Sequence, residues 1–326
     1  MESAVREAEP LWGKWQVEKF LGEGSFGKVW RVSDGTRYAA VKEIIIPRSK
    51  DTLEGARAEG LDIGGARQYF EAAAKATLAE AQLMQELSDC PGIVRFEEAQ
   101  IQELKQENEF GWVIFIRMEE LIPFKEMVMK GAVTVAEVRK LGIDICMALE
   151  KCEQAGIVHR DIKPDNLFYS QSENRFKLGD FGIAHYLSRP TQGKGRAGTL
   201  THMSPEIYRG AEFTSAGDRY ALGMVLYRLL NDNRIPFLPR YPEPFTPAMR
   251  DEAMVKRLRG AEVGPPRVVM LAERSAQEMS GLGVIVDENS RKQAEQLGYI
   301  AQRAISANPD KRFTSAGEFR EALEGV

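Results

Sequence analysis

The stretch His159-Arg160-Asp161-Ile162-Lys163-Pro164-Asp165-Asn166, followed by Asp180-Phe181-Gly182, decides the reading of this chain. It sets out a carboxylate, an amine, an amide and a second carboxylate in the order that metal-assisted phosphoryl transfer needs. Asp161 can orient a hydroxyl nucleophile, while Asn166 and Asp180 can hold Mg²⁺ against the phosphates of a nucleotide. An Asp161 that only capped a helix or turned a loop would leave Lys163 and Asn166, two and five positions on, without a reason.

Composition sets outer bounds. With 326 residues, 43% of them hydrophobic, the chain suits two packed lobes better than one small core. Forty-four Lys plus Arg against 48 Asp plus Glu give a formal charge of −4, so no basic field draws it to nucleic acid or anionic lipid. Cys90, Cys146 and Cys152 are too few and scattered for a disulfide framework or a zinc site, and the three histidines have no ligand spacing. A reducing compartment is expected, with Cys146 and Cys152 as core fillers. No stretch approaches the apolar length of a membrane span. The chain therefore reads as cytoplasmic, or as the cytoplasmic portion of something longer.

Periodicity divides the chain. Residues 13–46 alternate as strand, glycine turn, strand, hairpin at Asp34-Gly35, and strand. From Ala66 to Leu87 the apolar spacing changes to that of a helix, with Phe70, Ala74, Thr77, Ala81 and Met84 on one stripe. Strand character returns over 93–118, and residues 135–155 and 218–230 read as buried helices. Residues 1–14 read as a tail. Two stretches, 47–65 and 264–292, look like insertions on the surface, and neither has a clear period.

Gly22-Glu23-Gly24-Ser25-Phe26-Gly27-Lys28-Val29 matches three phosphate motifs at once, so its context decides. A dinucleotide fingerprint must open a helix, yet Val29 onward alternates as a strand. A Walker loop needs Ser or Thr after its Lys, and Val29 is there. What remains is a β-turn whose glycines let backbone lie over phosphates. Lys42, in Ala39-Ala40-Val41-Lys42, sits in a strand that reads as buried, where a lone ammonium is costly and needs a partner.

Together these motifs resemble eukaryotic-type (Hanks-type) serine/threonine protein kinases, closest to those of bacteria, over roughly residues 15–324. The resemblance implies an α+β, bilobal protein kinase fold. A small antiparallel β-sheet N-lobe with one major helix (15–121, insertion 47–65) would precede a larger, mainly helical C-lobe (122–326, activation segment 180–206, insertion 264–292). It implies ATP and Mg²⁺, with Mn²⁺ as an alternative metal, and protein substrates with Ser or Thr acceptors. Nucleic-acid partners and a direct membrane segment are not implied, and the oligomeric state stays open.

Residue by residue, the resemblance assigns Asp161 to orient the acceptor hydroxyl and take its proton. Lys163 neutralises the transferring group, and Asn166 and Asp180 hold the metal. Lys42, paired with Glu80 of the long helix, grips phosphates beneath Gly22, Gly24 and Gly27. Met118 belongs to the nucleotide site, the backbone of Glu119 and Leu121 meets adenine, and Val29, Ala40 and Phe168 are its apolar walls. His159 and Phe181 are implied to stack with Met84 and Phe96, Asp218 to accept from the catalytic loop, and Glu206 to pair with Arg312. Arg160 would pair with a phosphate on Ser188, Thr191, Thr199 or Thr201, with Thr191 the first choice. Lys163 and Thr199 indicate serine/threonine preference. His202 and Ser204 depart from the family's commoner residues.

Two rival readings share the fold. A pseudokinase scaffold usually lacks Lys42, Asp161 or Asp180, and all three are present. A small-molecule kinase acting on an antibiotic or alcohol generally lacks the Ser204-Pro205-Glu206 turn and its arginine, and both are present.

Overall fold

The computed structural model describes residues 4–24, 27–106, 109–130, 133–180, 200–273 and 284–326. It divides into two compact units. One comprises the chain up to Asp89 with Val94–Leu121; the other comprises Cys90–Ile93, Ile122–Asp180 and the chain from residue 200 onward.

The first unit is built on an antiparallel sheet of five strands, β1 (Gln16–Gly24), β2 (Gly27–Ser33), β3 (Tyr38–Ile46), β4 (Phe96–Gln106) and β5 (Glu109–Met118), ordered β1-β2-β3-β5-β4. Strand β3 is buried on both faces, which is why it reads Tyr-Ala-Ala-Val-Lys-Glu-Ile-Ile-Ile with hardly any polar alternation. Cross-strand partners share a face. Ala39 and Val41 therefore lie with Val32, Trp30 and Val113 on one side, and Ala40 and Lys42 with Val29 and Met118 on the other.

Residues 4–14 are not a tail. A short helix, α1 (Ala4–Glu7), and the bridge between Leu11 and Trp15 bring Val5, Leu11 and Trp15 into the core on the Val41 face. The sequence signal is weak because these apolar residues follow neither a strand nor a helix period. Residues 47–65 stay at the surface but are not irregular: Ser49 caps a helix, α2 (Lys50–Ala58), that buries no residue. The long helix α3 (Ile63–Leu87) begins three residues before Ala66, because Asp62 caps it and Gly64 and Gly65 occupy its first turn. Its predicted stripe of Phe70, Ala74, Thr77, Ala81 and Met84 is buried.

In the second unit, α4 (Phe124–Met129) precedes α5 (Val135–Gln154), whose start is fixed by a capping box between Thr134 and Glu137. Cys146 and Cys152 fill the core on α5, and burial pushes the Cys152 thiol up to about 12. After the short helix α6 (Pro205–Tyr208), helix α7 (Ser215–Leu230) is buried nearly all round. That is the signature of a central helix, not an amphipathic one. Helices α8 (Pro247–Leu258), α9 (Arg291–Ala304) and α10 (Ala316–Glu324) complete the unit. Helices α7 and α9 approach closely at Gly223, where a Cβ would meet that of Ala304 at 2.5 Å.

Residues 264–292 are not wholly a surface insertion. Among the described part, Val269, Val284 and Val286 are buried, and Val284–Ile285 pairs in parallel with Val133–Thr134. Among the described residues no helix is long and apolar enough to cross a membrane.

Candidate active site

The loop from His159 to Asn166 hangs from helix α7. Asp218, buried in that helix, accepts the backbone N–H of His159 at 2.6 Å and that of Arg160 at 2.8 Å. Burial pushes the Asp218 carboxyl up, against the pull of His159 and the two N–H donors. Arg160 takes a positive φ of 71°, a conformation that non-glycine residues adopt only when their surroundings hold them there. His159 is fully buried, and its Nδ1 faces the Asp161 N–H at 3.3 Å. Its Nε2 therefore carries the proton, donated to the Gly179 carbonyl at 2.9 Å.

Asp161 is the hub of the loop. Lys163 Nζ donates to its Oδ2 at 2.6 Å. Asn166 Nδ2 donates to the same Oδ2 at 3.0 Å and to the Asp161 carbonyl at 2.7 Å. Both protons of the Asn166 amide are thereby directed to Asp161, which makes Oδ1 the atom it can offer a cation. Asn166 also accepts the Gly179 N–H at 2.9 Å through its carbonyl. Gly179 is thus held on both sides by the loop, and Asp180 follows it with φ 59°, a left-handed conformation that aspartate tolerates. A helical turn over Pro164–Asn166 makes this local geometry, with Pro at its first position where no N–H is needed.

The donor set suits a hard cation. One amide oxygen and one carboxylate are the partial shell that Mg²⁺ accepts when substrate phosphates and water complete it. Among the described residues no cluster of three or more His, Cys, Asp or Glu exists that could hold a metal without such help.

On the first unit, one sheet face carries Lys42 in register with Val29 and Ile116, and Ala40 in register with Met118. Lys42 is 3% exposed. Gly22 pairs with Val29 and Gly24 with Gly27 across the turn. Gly27 admits no side chain, because a Cβ there would lie 2.1 Å from the Glu43 carbonyl oxygen. Glu119 donates its N–H to the Arg95 carbonyl at 3.1 Å and accepts the Arg95 N–H through its carboxylate at 2.7 Å. Leu121 ends this unit, and Phe168 lies in the second, on a strand paired with Pro123 and Lys177.

Glu206 and Arg312 form a two-pronged ion pair at 2.7 and 2.8 Å. Burial raises the Glu206 carboxyl, but Arg312 outweighs burial and leaves it below its usual range. Arg312 also donates to the Ser306 carbonyl at 2.8 Å and lies over the Tyr220 ring. Thr201, expected as a phosphate acceptor, is buried, so its hydroxyl is out of a kinase's reach. His202 accepts from Arg228 at 3.2 Å, and Ser204 is buried. Phe181, Ser188, Thr191, Thr199 and the side chain of Glu80 lie outside the described residues, and with them the expected Lys42–Glu80 pair and the stacking of Phe181.

Two contacts were not anticipated. Arg31 of β2 grips Glu120 through Nε, at 2.9 Å from both carboxylate oxygens, and through Nη2, at 2.5 Å from one of them, which ties the glycine strand to the segment after β5. Arg257 of α8, fully withdrawn from water, donates to the carbonyls of Leu200 and Met203 and to the Tyr220 hydroxyl. Backbone acceptors leave no mark in a sequence, so nothing there singles out Arg257.

A five-stranded sheet with one long helix, and a helical unit carrying an Asp-Lys-Asn loop followed by an Asp in the left-handed conformation, define a protein kinase domain. The pattern of that family, described as the protein kinase domain, matches residues 15–324, and the chain belongs to it. Serine/threonine-protein kinase PknJ of Mycobacterium tuberculosis is 28% identical over 324 residues, covering 97% of this chain and 46% of that protein. PknD of the same organism is 26% identical over 324 residues, covering 98% and 40%. PknB of Mycolicibacterium smegmatis is 31% identical over 185 residues, covering 55% and 24%. The chain thus spans less than half the length of these relatives.

Proposed function

We propose that this chain is an ATP-dependent serine/threonine protein kinase that transfers the γ-phosphate to Ser or Thr hydroxyls of proteins. The observation that carries this reading is the Asp161 hub: a carboxylate held by Lys163 at 2.6 Å and by Asn166 at 3.0 Å, in a chain of the protein kinase family. The names of its mycobacterial relatives support the choice of serine and threonine.

Asp161 orients the acceptor hydroxyl and takes its proton as the oxygen leaves it for phosphorus. Lys163 bridges from Asp161 to the transferring group and offsets its charge. Lys42 grips the α- and β-phosphates, and Glu80 sets its position. Gly22, Gly24 and Gly27 let the backbone lie over those phosphates. The Glu119 carbonyl and the backbone of Leu121 meet adenine, with Val29, Ala40, Met118 and Phe168 as its apolar surround. Asn166 and Asp180 would hold Mg²⁺, which would supply Lewis-acid stabilisation of the phosphate charge. Glu206 and Arg312 hold the substrate-docking turn. Arg160 is the partner for a phosphate added at Ser188, Thr191 or Thr199, and such a charge would order the segment that carries it.

The boundaries that go with this reading are 15–121 and 122–326, and the compartment is the cytoplasm, where ATP is supplied. Purified protein with labelled ATP and Mg²⁺ should phosphorylate itself or a generic protein acceptor. Asp161→Asn should lower that rate by about 10²- to 10⁴-fold while nucleotide still binds. An Asp161→Asn protein as active as the wild type would sink the assignment.

A further inference from the structure

Residues 4–14 lie outside the span that matches the kinase family, yet they are built into the sheet unit. Three observations join them to β5. First, the turn Leu11-Trp12-Gly13-Lys14 closes with Lys14 N–H to the Leu11 carbonyl at 3.2 Å and takes φ 47° at Trp12 and 75° at Gly13. Glycine adopts that conformation freely, but a tryptophan in it is a strained outlier that its neighbours must hold. Second, the Arg117 guanidinium lies 4.6 Å from the centre of the Trp12 ring and 4.6 Å from that of Trp15. The indole N–H groups of both rings are buried without an acceptor among the described residues, so face contacts and packing place these rings, not hydrogen bonds.

Third, Arg117 is anchored on its other side. A register shift between Phe96 and Glu98 sets two carboxylates opposite this one residue. Arg117 donates to Glu97 at 2.9 Å and to Glu98 at 3.0 Å. Its neighbour Met118 is the last residue of β5, in register with Ala40, and Glu119 to Leu121 follow directly.

We propose that residues 4–15 are a strap that positions the adenine-facing end of β5, with Trp12 and Arg117 as its positioning residues. This rests on the kinase reading above. The strap covers the sheet face opposite Lys42, so it touches no nucleotide; it acts by fixing where Arg117 lies, and through Arg117 the backbone from Met118 to Leu121.

Trp12→Asn tests this, because asparagine suits the left-handed turn while removing the ring. Arg117→Lys keeps the charge but loses the planar face and the two-carboxylate grip. Both should weaken Mg-ATP binding measured by calorimetry, and raise KM for ATP, by about tenfold with kcat within about twofold. Trp12→Phe, which keeps an aromatic face, should restore most of the affinity. Loss of Tm with unchanged affinity for nucleotide overturns the proposal, as does failure of both variants to fold, since the strap is then a folding element alone. A wild-type protein that binds no Mg-ATP overturns the kinase reading and this one with it, whereas wild-type binding matched by Trp12→Asn overturns only the strap.

Discussion

Arg312 and Arg117 are both guanidiniums withdrawn from water, one paired to helix α6 and one beneath the end of β5. Among the described residues Arg312 has a single carboxylate, Glu206, gripped by two prongs, and the face of one ring, Tyr220. Arg117 divides its charge between Glu97 and Glu98 and lies between two rings. A cation with one counter-ion is broken by one substitution; a cation with two counter-ions and two aromatic faces loses its support in parts. The turn at Glu206 should therefore fail abruptly, and the β5 end by degrees.

The largest expected effect on stability is at Glu206. Glu206→Ala leaves Arg312, 1% exposed, without a counter-ion, and should cost about 3–5 kcal/mol in denaturant unfolding. Arg312→Leu strands only the more exposed carboxylate and should cost less. The reverse ranking would show that the pair is not governed by desolvation of the guanidinium. Glu97→Gln should cost less than either, since Glu98 still faces Arg117.

Acid sharpens the contrast. The Glu206 carboxyl titrates below its usual range, so the unfolded chain takes up the proton first. The pair's contribution is complete above about pH 4.3, the ordinary glutamate value, and is lost as pH falls through the lower folded value. The stability gap between wild type and Glu206→Gln should then close on acidification. A gap that stays constant from neutral pH down to about pH 3 would contradict the linkage. At the other extreme stands Arg67–Glu103, with side chains 52% and 50% exposed. Arg67→Ala should shift stability by less than about 0.5 kcal/mol, with the remainder vanishing at high salt.

The same contrast explains what could be read in advance. His159 to Asn166, Asp180, Glu206 and Arg312 stand out by residue type and spacing, and the hydrogen bonds of the loop and of the Glu206–Arg312 pair join residues the sequence singled out. The strap carried no such mark. Val5, Leu11, Trp12 and Trp15 surround a tight turn, and only the sheet gives them a common side. Val269, Val284 and Val286 were hidden for a related reason: a strand two residues long has no period to detect, and its partner, Val133–Thr134, is remote in the chain. Arg31–Glu120 and Arg257 depend on tertiary proximity alone, to a side chain in one case and largely to carbonyls in the other.

Asp218 makes the loop from His159 to Asn166 a dependant of the most deeply enclosed of the described helices in its unit. Through those two amides the loop has little softness of its own. Warming the protein should extinguish turnover at the temperature where helix α7 gives way, with no cooler interval of intact scaffold and dead chemistry. The molecule's activity is in that sense a gauge of its deepest core.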